Sequence, residues 1–312
     1  MSTLICGSFA YDTIMVFPDS FKNHILPEQI HILNVCFMVP DMRREFGGCA
    51  GNIAYNLHAL GGDAVPMGTV GKDFGPYREW LTQTGISDQH VRELPDSYTA
   101  QAFITTDMDD NQIIAFHPGA MSNAHENCVK DATGIERAIV APDGRDAMIQ
   151  HAKDFNEMGV PFVFDPGQGL PMFDGNDLEK FVDQAEWVIV NDYESKILQE
   201  KTGKSVEELS KNVSALIVTL GAKGAQIFTR SGEEILIPPV ATDNAVDPTG
   251  CGDAFRGGLL YGLEQGFDWK TTGRIASLIG SVKVETNGTQ NHQINPDAFM
   301  ERFVKEFGYA YD

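Results

Sequence analysis

Positive charge is scarce in this sequence: 23 Lys and Arg stand against 44 Asp and Glu, a formal net charge of −21 over 312 residues. Nonspecific binding to nucleic acid or anionic membrane depends on clustered basic side chains, so neither is expected as a partner. Long apolar runs are also missing, and none approaches the roughly 20 residues needed to cross a bilayer. The opening Met1-Ser2-Thr3-Leu4-Ile5-Cys6-Gly7 has neither the basic start nor the apolar core of a signal peptide and reads as a first strand. The five cysteines, at 6, 36, 49, 128 and 251, are odd in number and contain no CxxC pair. That usage suits a reducing compartment and offers no zinc site. The eight histidines include no HExxH. The expectation from these absences is a cytoplasmic protein that acts on a small molecule and uses no transition metal.

Three catalytic signatures are absent as well. There is no GxxxxGK[ST], which excludes a P-loop kinase, and no HRD–DFG set in protein-kinase order. No GxGxxG follows the first strand, which argues against a dinucleotide dehydrogenase.

What is present is an ordinary globular composition, 42% hydrophobic and 21% charged, long enough for one large α/β domain with an accessory element. Strands are expected at Leu4–Cys6, Tyr11–Phe17, Ile30–Val39 and Val65–Val70, with a helix at Asn52–Leu60. A hairpin is expected from Thr99–Thr106 and Gln112–His117 around the polar turn 107–111. The second half alternates strands (Val160–Asp165, Trp187–Asn191, Ala215–Leu220) with helical patterns at 144–158, 178–185, 193–202 and 206–213. Gln226–Thr229 and Glu234–Pro238 form an antiparallel appendage, and helices at 254–265 and 272–285 follow. Such alternation implies βαβ units and a mostly parallel sheet covered on both faces. The early strands break the rhythm and are expected to form a small separate sheet. Ligands gather at the carboxyl edge of an open parallel sheet, so a small sheet over that edge would act as a lid.

The strongest local signal is Asp247-Pro248-Thr249-Gly250-Cys251-Gly252-Asp253-Ala254-Phe255-Arg256-Gly257-Gly258, a glycine-rich turn opening into an apolar helix. Gly250 and Gly252 let backbone N–H groups converge at the positive end of the helix dipole, an anion site suited to a phosphoryl group. Asp253 in the first turn stands where a carboxylate takes a proton from an incoming hydroxyl. A lone motif of this kind also fits a plain capped helix. A second string, Glu45-Phe46-Gly47-Gly48-Cys49-Ala50-Gly51-Asn52, pairs glycines with an amide able to bridge vicinal hydroxyls; without a partner motif it would be a turn and a helix cap.

Together the two strings resemble the signatures of the ribokinase (PfkB) family. Pro248 stands in the variable slot of the second signature, and Cys251 stands where the family usually has Ala. The resemblance implies a ribokinase-like three-layer α/β domain over 1–312 with a discontinuous β lid from about 12–40 and 98–118. It implies Asp253 as catalytic base and Gly250, Cys251 and Gly252 as the backbone anion hole. It assigns Asp12, Gly47, Gly48 and Asn52 to the sugar. It places Asn191, Thr219, Gly221, Gly224, Asn287 and Gly288 at ATP, and Glu194 at Mg²⁺ through water. Asp247 and Thr249 become carbonyl ligands of a K⁺ ion. The role of Asp165-Pro166-Gly167 stays unassigned, and Arg256 and Arg44 are candidate cations for the phosphoryl group.

The stretches 37–46 and 115–121 resemble the bacterial adenosine or nucleoside kinase branch. Phe37, Met38, Phe116 and Met121 offer aromatic and thioether surface to a purine; any one of them alone is better read as the lid's own core, and it is the four together that favour a nucleoside. The expected reaction is ATP-dependent phosphorylation of the 5′-hydroxyl of adenosine or a related nucleoside. A ribokinase- or fructokinase-like sugar kinase and a non-catalytic nucleoside-binding regulator are the alternatives. The chain is expected to be a monomer or a homodimer paired through lid edges.

Overall fold

Strand after strand in this chain sorts its apolar side chains by parity. Ile5, Ile139, Val163, Ile189 and Ile217 belong to one buried cluster. Their neighbours Leu4, Cys6, Val140, Phe162, Phe164, Val188, Val190, Leu216 and Val218 belong to another. Successive side chains of a strand point to opposite faces, so both faces of one sheet are buried, as a parallel sheet requires. A computed structural model describing residues 2–109 and 111–311 shows that sheet.

In chain order its elements are β1 (Ser2–Cys6), β2 (Ala10–Val16), β3 (Asp41–Gly47), α1 (Cys49–Ala59), β4 (Ala64–Gly71), α2 (Gly75–Thr84), β5 (His90–Leu94), β6 (Ala100–Thr106) and β7 (Gln112–His117). Then come β8 (Ile135–Val140), α3 (Arg145–Met158), β9 (Phe162–Phe164), α4 (Gly175–Gln184), β10 (Trp187–Asn191), α5 (Asp192–Thr202) and α6 (Val206–Leu209). The chain continues through β11 (Ala215–Thr219), β12 (Ala225–Thr229), β13 (Glu234–Ile237), α7 (Cys251–Gln265), α8 (Trp269–Val284) and α9 (Pro296–Phe307).

The large sheet runs β13-β12-β11-β10-β9-β8-β1-β4-β5, and the lid sheet β3-β2-β6-β7. From β11 to β5 the large sheet is parallel, and β12 alone runs against it, paired antiparallel with both β11 and β13. This is the ribokinase-like three-layer α/β fold with a small β lid. Helices α1 and α7 cover one face, and α3, α4 and α5 cover the other. Glycines set the closeness of the helix contacts at α7. A Cβ at Gly257 would stand 2.6 Å from the Asn56 Cβ of α1, and one at Gly258 would stand 2.6 Å from the Ala276 Cα of α8.

The expected strand over Ile30–Val39 does not form. Residues 27–32 make 3₁₀ turns behind Pro27, and the lid strand is the polar Asp41–Gly47 instead. Phe37 leaves the strand pattern because its ring packs against Phe17, Phe21 and His24. The first lid segment therefore reaches Gly47 and not residue 40. In the hairpin turn the Asp107 carboxylate accepts from the N–H groups of Asp109, Asn111 and Phe21; Asp110 of the expected turn lies outside the described residues. The helix expected over 206–213 ends at Leu209 and continues only as a 3₁₀ turn.

Candidate active site

The 248–250 turn presents the start of α7 to the carboxyl edge of the sheet. Gly250 caps the helix at φ 79°, and a Cβ there would stand 2.9 Å from the Thr289 Cγ2. That combination of left-handed backbone and close approach admits only glycine. The Cys251 N–H turns back to the Pro248 carbonyl at 3.2 Å. The Gly252 and Asp253 N–H groups, which have no intrahelical acceptor by position, are left to face an anion. The Cys251 thiol is raised above its ordinary pKa by burial, against a lowering from Lys283, so it stays protonated and weakly reactive.

Asp253 is held by a network assembled from distant parts of the chain. The Asn52 Nδ2 donates to the Asp253 Oδ2 at 2.8 Å, and the Gln290 Nε2 donates to the Asn52 Oδ1 at 2.9 Å. Trp80 Nε1 donates in turn to the Gln290 Oε1 at 2.9 Å. Burial pushes the Asp253 carboxyl up to about 6, against lowering by Arg256 and the Asn52 hydrogen bond. That is a pKa at which a carboxylate is ionised at neutral pH yet basic enough to accept a proton. Asn52 is nearly fully buried and keeps its second amide hydrogen free of these contacts.

Asp12 faces Asp253 from the lid. Burial first, and then the charges of Asp253, Glu45 and Asp247, raise its carboxyl to about 6. Gly47 stands opposite, where a Cβ would lie 2.6 Å from the Asp12 Oδ2. Gly48 caps α1 at φ 87°, and a Cβ there would crowd the Ser8 carbonyl at 2.5 Å. The lid register extends this face. Asp12 pairs with Glu45 on one side and Ala102 on the other, and Ala102 pairs with Phe116. Laterally paired residues point to one face, so the Phe116 ring lies on the Asp12 face two strands away, about 10 Å across. The next row, Ile14–Ile104–Ile114, shares it. Phe116 and Ile114 are 54% and 55% exposed, an apolar platform beside a carboxylate.

The remaining residues expected at a purine, Phe37, Met38 and Met121, do not join this face. Phe37 belongs to the lid's aromatic cluster, and Met38 is 83% exposed. Met121 lies just past β7, where its carbonyl would be 2.7 Å from a Cβ on Gly144. Arg44 is on the opposite lid face, its guanidinium 3.6 Å from the Tyr11 ring centre and 3.7 Å from Asp73. Arg256 is also not free for a ligand. Its Nε and Nη2 grip the buried Asp165 carboxylate, and its Nη1 donates to the Gly252 carbonyl at 3.0 Å. Asp165, unassigned from sequence, is thus the anchor of the α7 arginine.

Beyond the start of α7 opens a cleft of about 690 Å³ lined by Asn191, Thr219, Gly221 and Gly224 together with Cys251 and Gly252. The sequence missed its far wall: Val240 and Ala241 from the loop after β13, and Ser277, Gly280 and Val284 from α8. Packing does not demand glycine at Gly280, since a Cβ there would meet only the Cys251 carbonyl, at 3.6 Å. Asn287 and Gly288 stand outside this lining. Their loop reaches the lid through Asn291, whose Nδ2 donates to the Glu45 Oε2 at 2.9 Å and to the Asn287 carbonyl at 3.0 Å, while the Gly288 N–H bonds the Asp247 Oδ2 at 2.9 Å.

Asn191 and Glu194 close a reciprocal capping box at 2.8 Å each way. Burial raises the Glu194 carboxyl, with Asp165 and Arg256 near enough to act on it. No cluster of three or more ligating His, Cys, Asp or Glu side chains exists among the described residues. Mg²⁺ carried by a nucleotide needs no such cage, because it keeps several waters and uses one or two carboxylates.

A K⁺ ion at the Asp247 carbonyl does not fit the residues present. The Lys283 Nζ already donates to that oxygen at 2.7 Å and to the Thr286 carbonyl at 3.2 Å. It lies 4.0 Å from the Asp247 Oδ2 and is wholly buried. The Asp247 carboxyl is pushed up by burial but held below its ordinary pKa overall by the Thr249 and Gly288 N–H groups.

A lidded parallel α/β sheet, with the free N–H groups of a helix start beside a buried carboxylate, defines the ribokinase-like class. The chain matches the pfkB family carbohydrate kinase profile over residues 23–296, and it belongs to that family. It is 32% identical over 281 residues to a nucleoside kinase of Methanothermobacter thermautotrophicus, covering 88% of this chain and 90% of that one. Its fold superposes on the solved structure of Burkholderia thailandensis nucleoside kinase in complex with inosine at a TM-score of 0.90. The two are 52% identical, with 99% of each chain covered. The same enzyme in complex with ADP-inosine gives 0.88 at 54% identity, covering 99% of this chain and 97% of that one. Among the described residues no helix is long and apolar enough to cross a membrane.

Proposed function

We propose that this kinase transfers the γ-phosphoryl of ATP to the 5′-hydroxyl of a purine nucleoside, adenosine included. The observation that carries the nucleoside over a free sugar is the lid row Glu45–Asp12–Ala102–Phe116. It sets an exposed aromatic ring on the same face as the ribose-facing carboxylate. A sugar alone would leave that platform wet, whereas a base would cover it. The inosine and ADP-inosine complexes of the 52–54% identical relative support the same assignment.

Asp12 and the free Asn52 amide hydrogen would hold the ribose hydroxyls. Asp253 would take the 5′-hydroxyl proton as the oxygen attacks phosphorus. The N–H groups of Gly252 and Asp253, at the positive end of α7, would stabilise charge on the transferring group. The 690 Å³ cleft would hold ATP, its adenine against Val240, Gly280 and Val284. Mg²⁺ would neutralise the β- and γ-phosphates there, with Glu194 and Asn191 reaching it through water. Closure of the lid over the acceptor would exclude water, so that ATP is not hydrolysed.

Steady-state kinetics with Phe116→Ala test the acceptor assignment. The KM for adenosine and inosine is expected to rise about tenfold or more with kcat little changed, while ribose phosphorylation stays as slow as in wild type. Equal effects on nucleosides and ribose would remove the base from the Phe116 platform.

A further inference from the structure

We propose that Lys283 is a built-in monovalent cation: its ammonium occupies the carbonyl cage behind the anion-binding turn, so the enzyme needs no K⁺. The Nζ lies between the carbonyls of Asp247 and Thr286, at 2.7 and 3.2 Å, with the Asp247 carboxylate 4.0 Å away. A primary ammonium and a dehydrated alkali cation make the same demand of such a cage, several oxygens around one positive charge. Two unit cations cannot share it, so the lysine excludes the ion.

The surroundings are built around that charge. Lys283 sits in the last turn of α8 and is 0% exposed, so its charge must be matched inside the protein. The N–H groups of Val246 and Asp247 both donate to the Val284 carbonyl, at 2.8 and 3.1 Å, and the Gly288 N–H bonds the Asp247 carboxylate. The 246–250 and 284–288 loops are thereby tied together around Nζ. Asp247 lies three residues before Gly250, and the lysine's field reaches Cys251, the first residue of α7, where it opposes the rise of the thiol pKa. The charge therefore stands directly behind the N–H groups that face the phosphoryl. Burial lowers the Lys283 pKa while Asp247 supports the charged form.

The turnover arm of the test rests on the kinase assignment; the melting arm does not. Wild-type enzyme and Lys283→Met are compared in KCl, NaCl and choline chloride at matched ionic strength. For wild type, turnover is expected to differ by less than about threefold among the salts, with no K⁺-specific rise in Tm. For Lys283→Met, turnover in choline chloride is expected to fall about tenfold or more and to recover in KCl, with a K⁺-specific rise in Tm. Wild type activated more than about threefold by K⁺ over choline, or melting higher in K⁺ alone, overturns the proposal. So does a Lys283→Met enzyme as fast as wild type in choline chloride, or one that loses turnover and gains nothing from K⁺. If the variant does not fold, the wild-type salt series decides alone. Absence of turnover in every salt bears on the kinase assignment, and the K⁺ response of the wild-type Tm still decides the cation.

Discussion

Gln290 positions Asp253 through Asn52. One amide hydrogen bond of 2.9 Å links Gln290 to a residue 238 positions earlier, and another of 2.8 Å passes the constraint to the carboxylate. Gln290 does not touch Asp253 and acts on it by fixing the Asn52 rotamer. Gln290→Leu should lower kcat roughly 10–100-fold, since small displacements of a reacting group are costly. The acid limb of the pH–rate profile should move as well, because Asn52 also lowers the Asp253 pKa. A variant with reduced kcat and an unmoved limb would make Gln290 a packing residue only.

Asp253→Asn should separate activity from stability. Loss of the base should cost about 10²–10⁴-fold in kcat. Yet the folded carboxyl is raised from 3.8 to about 6, so its ionised form is disfavoured by folding. The sign follows from linkage: stability associated with the protonated acid is present below the unfolded pKa and lost as pH rises through about 6. The neutral amide avoids that loss. Its advantage should approach about 3 kcal/mol at pH 8 and vanish below about pH 4. Urea unfolding of both proteins at the two pH values checks it.

The same shift fixes the pH dependence of the reaction. kcat/KM for the nucleoside should rise through about pH 6 as Asp253 ionises and level off above it. Asp12, also raised to about 6, would add to the steepness of that limb. A profile already flat at pH 5 would contradict a buried base.

The Arg256–Asp165 pair should be structural in the strict sense. Both side chains are buried, so Arg256→Met leaves an uncompensated carboxylate and should cost about 3–5 kcal/mol. Arg256→Met with Asp165→Leu should recover most of it, measured by urea denaturation. No recovery would mean that the arginine's bond to the Gly252 carbonyl matters more than its ion pair.

The sequence was most legible where local and global demands coincide. The run Asp247–Gly258 needs glycine for its turn, a carboxylate in the first turn and apolar residues behind, and all of these show in one string. The central strands were equally plain, being short and apolar throughout. β8 was not, because Glu136 and Arg137 interrupt its first half. α2 buries only Tyr77 and Leu81, and α9 only Phe299 and Phe303, patterns too sparse to stand out. β3 was misplaced because a charged lid edge looks like a loop, while the apolar stretch before it serves an aromatic cluster. Gln290 and Lys283 had no local signal at all. Each acts on residues brought to it by tertiary contact, and only the geometry reveals the partner.

The most direct measurement is product identification after incubating the purified protein with Mg·ATP and adenosine, inosine, ribose or fructose, with Asp253→Asn beside it. Nucleoside 5′-monophosphate formed by wild type and nearly absent with the variant, at a kcat/KM at least about 100-fold above that for either free sugar, is the expected result. Ribose or fructose phosphorylated in preference to both nucleosides, or 5′-monophosphate made equally well by Asp253→Asn, would contradict it.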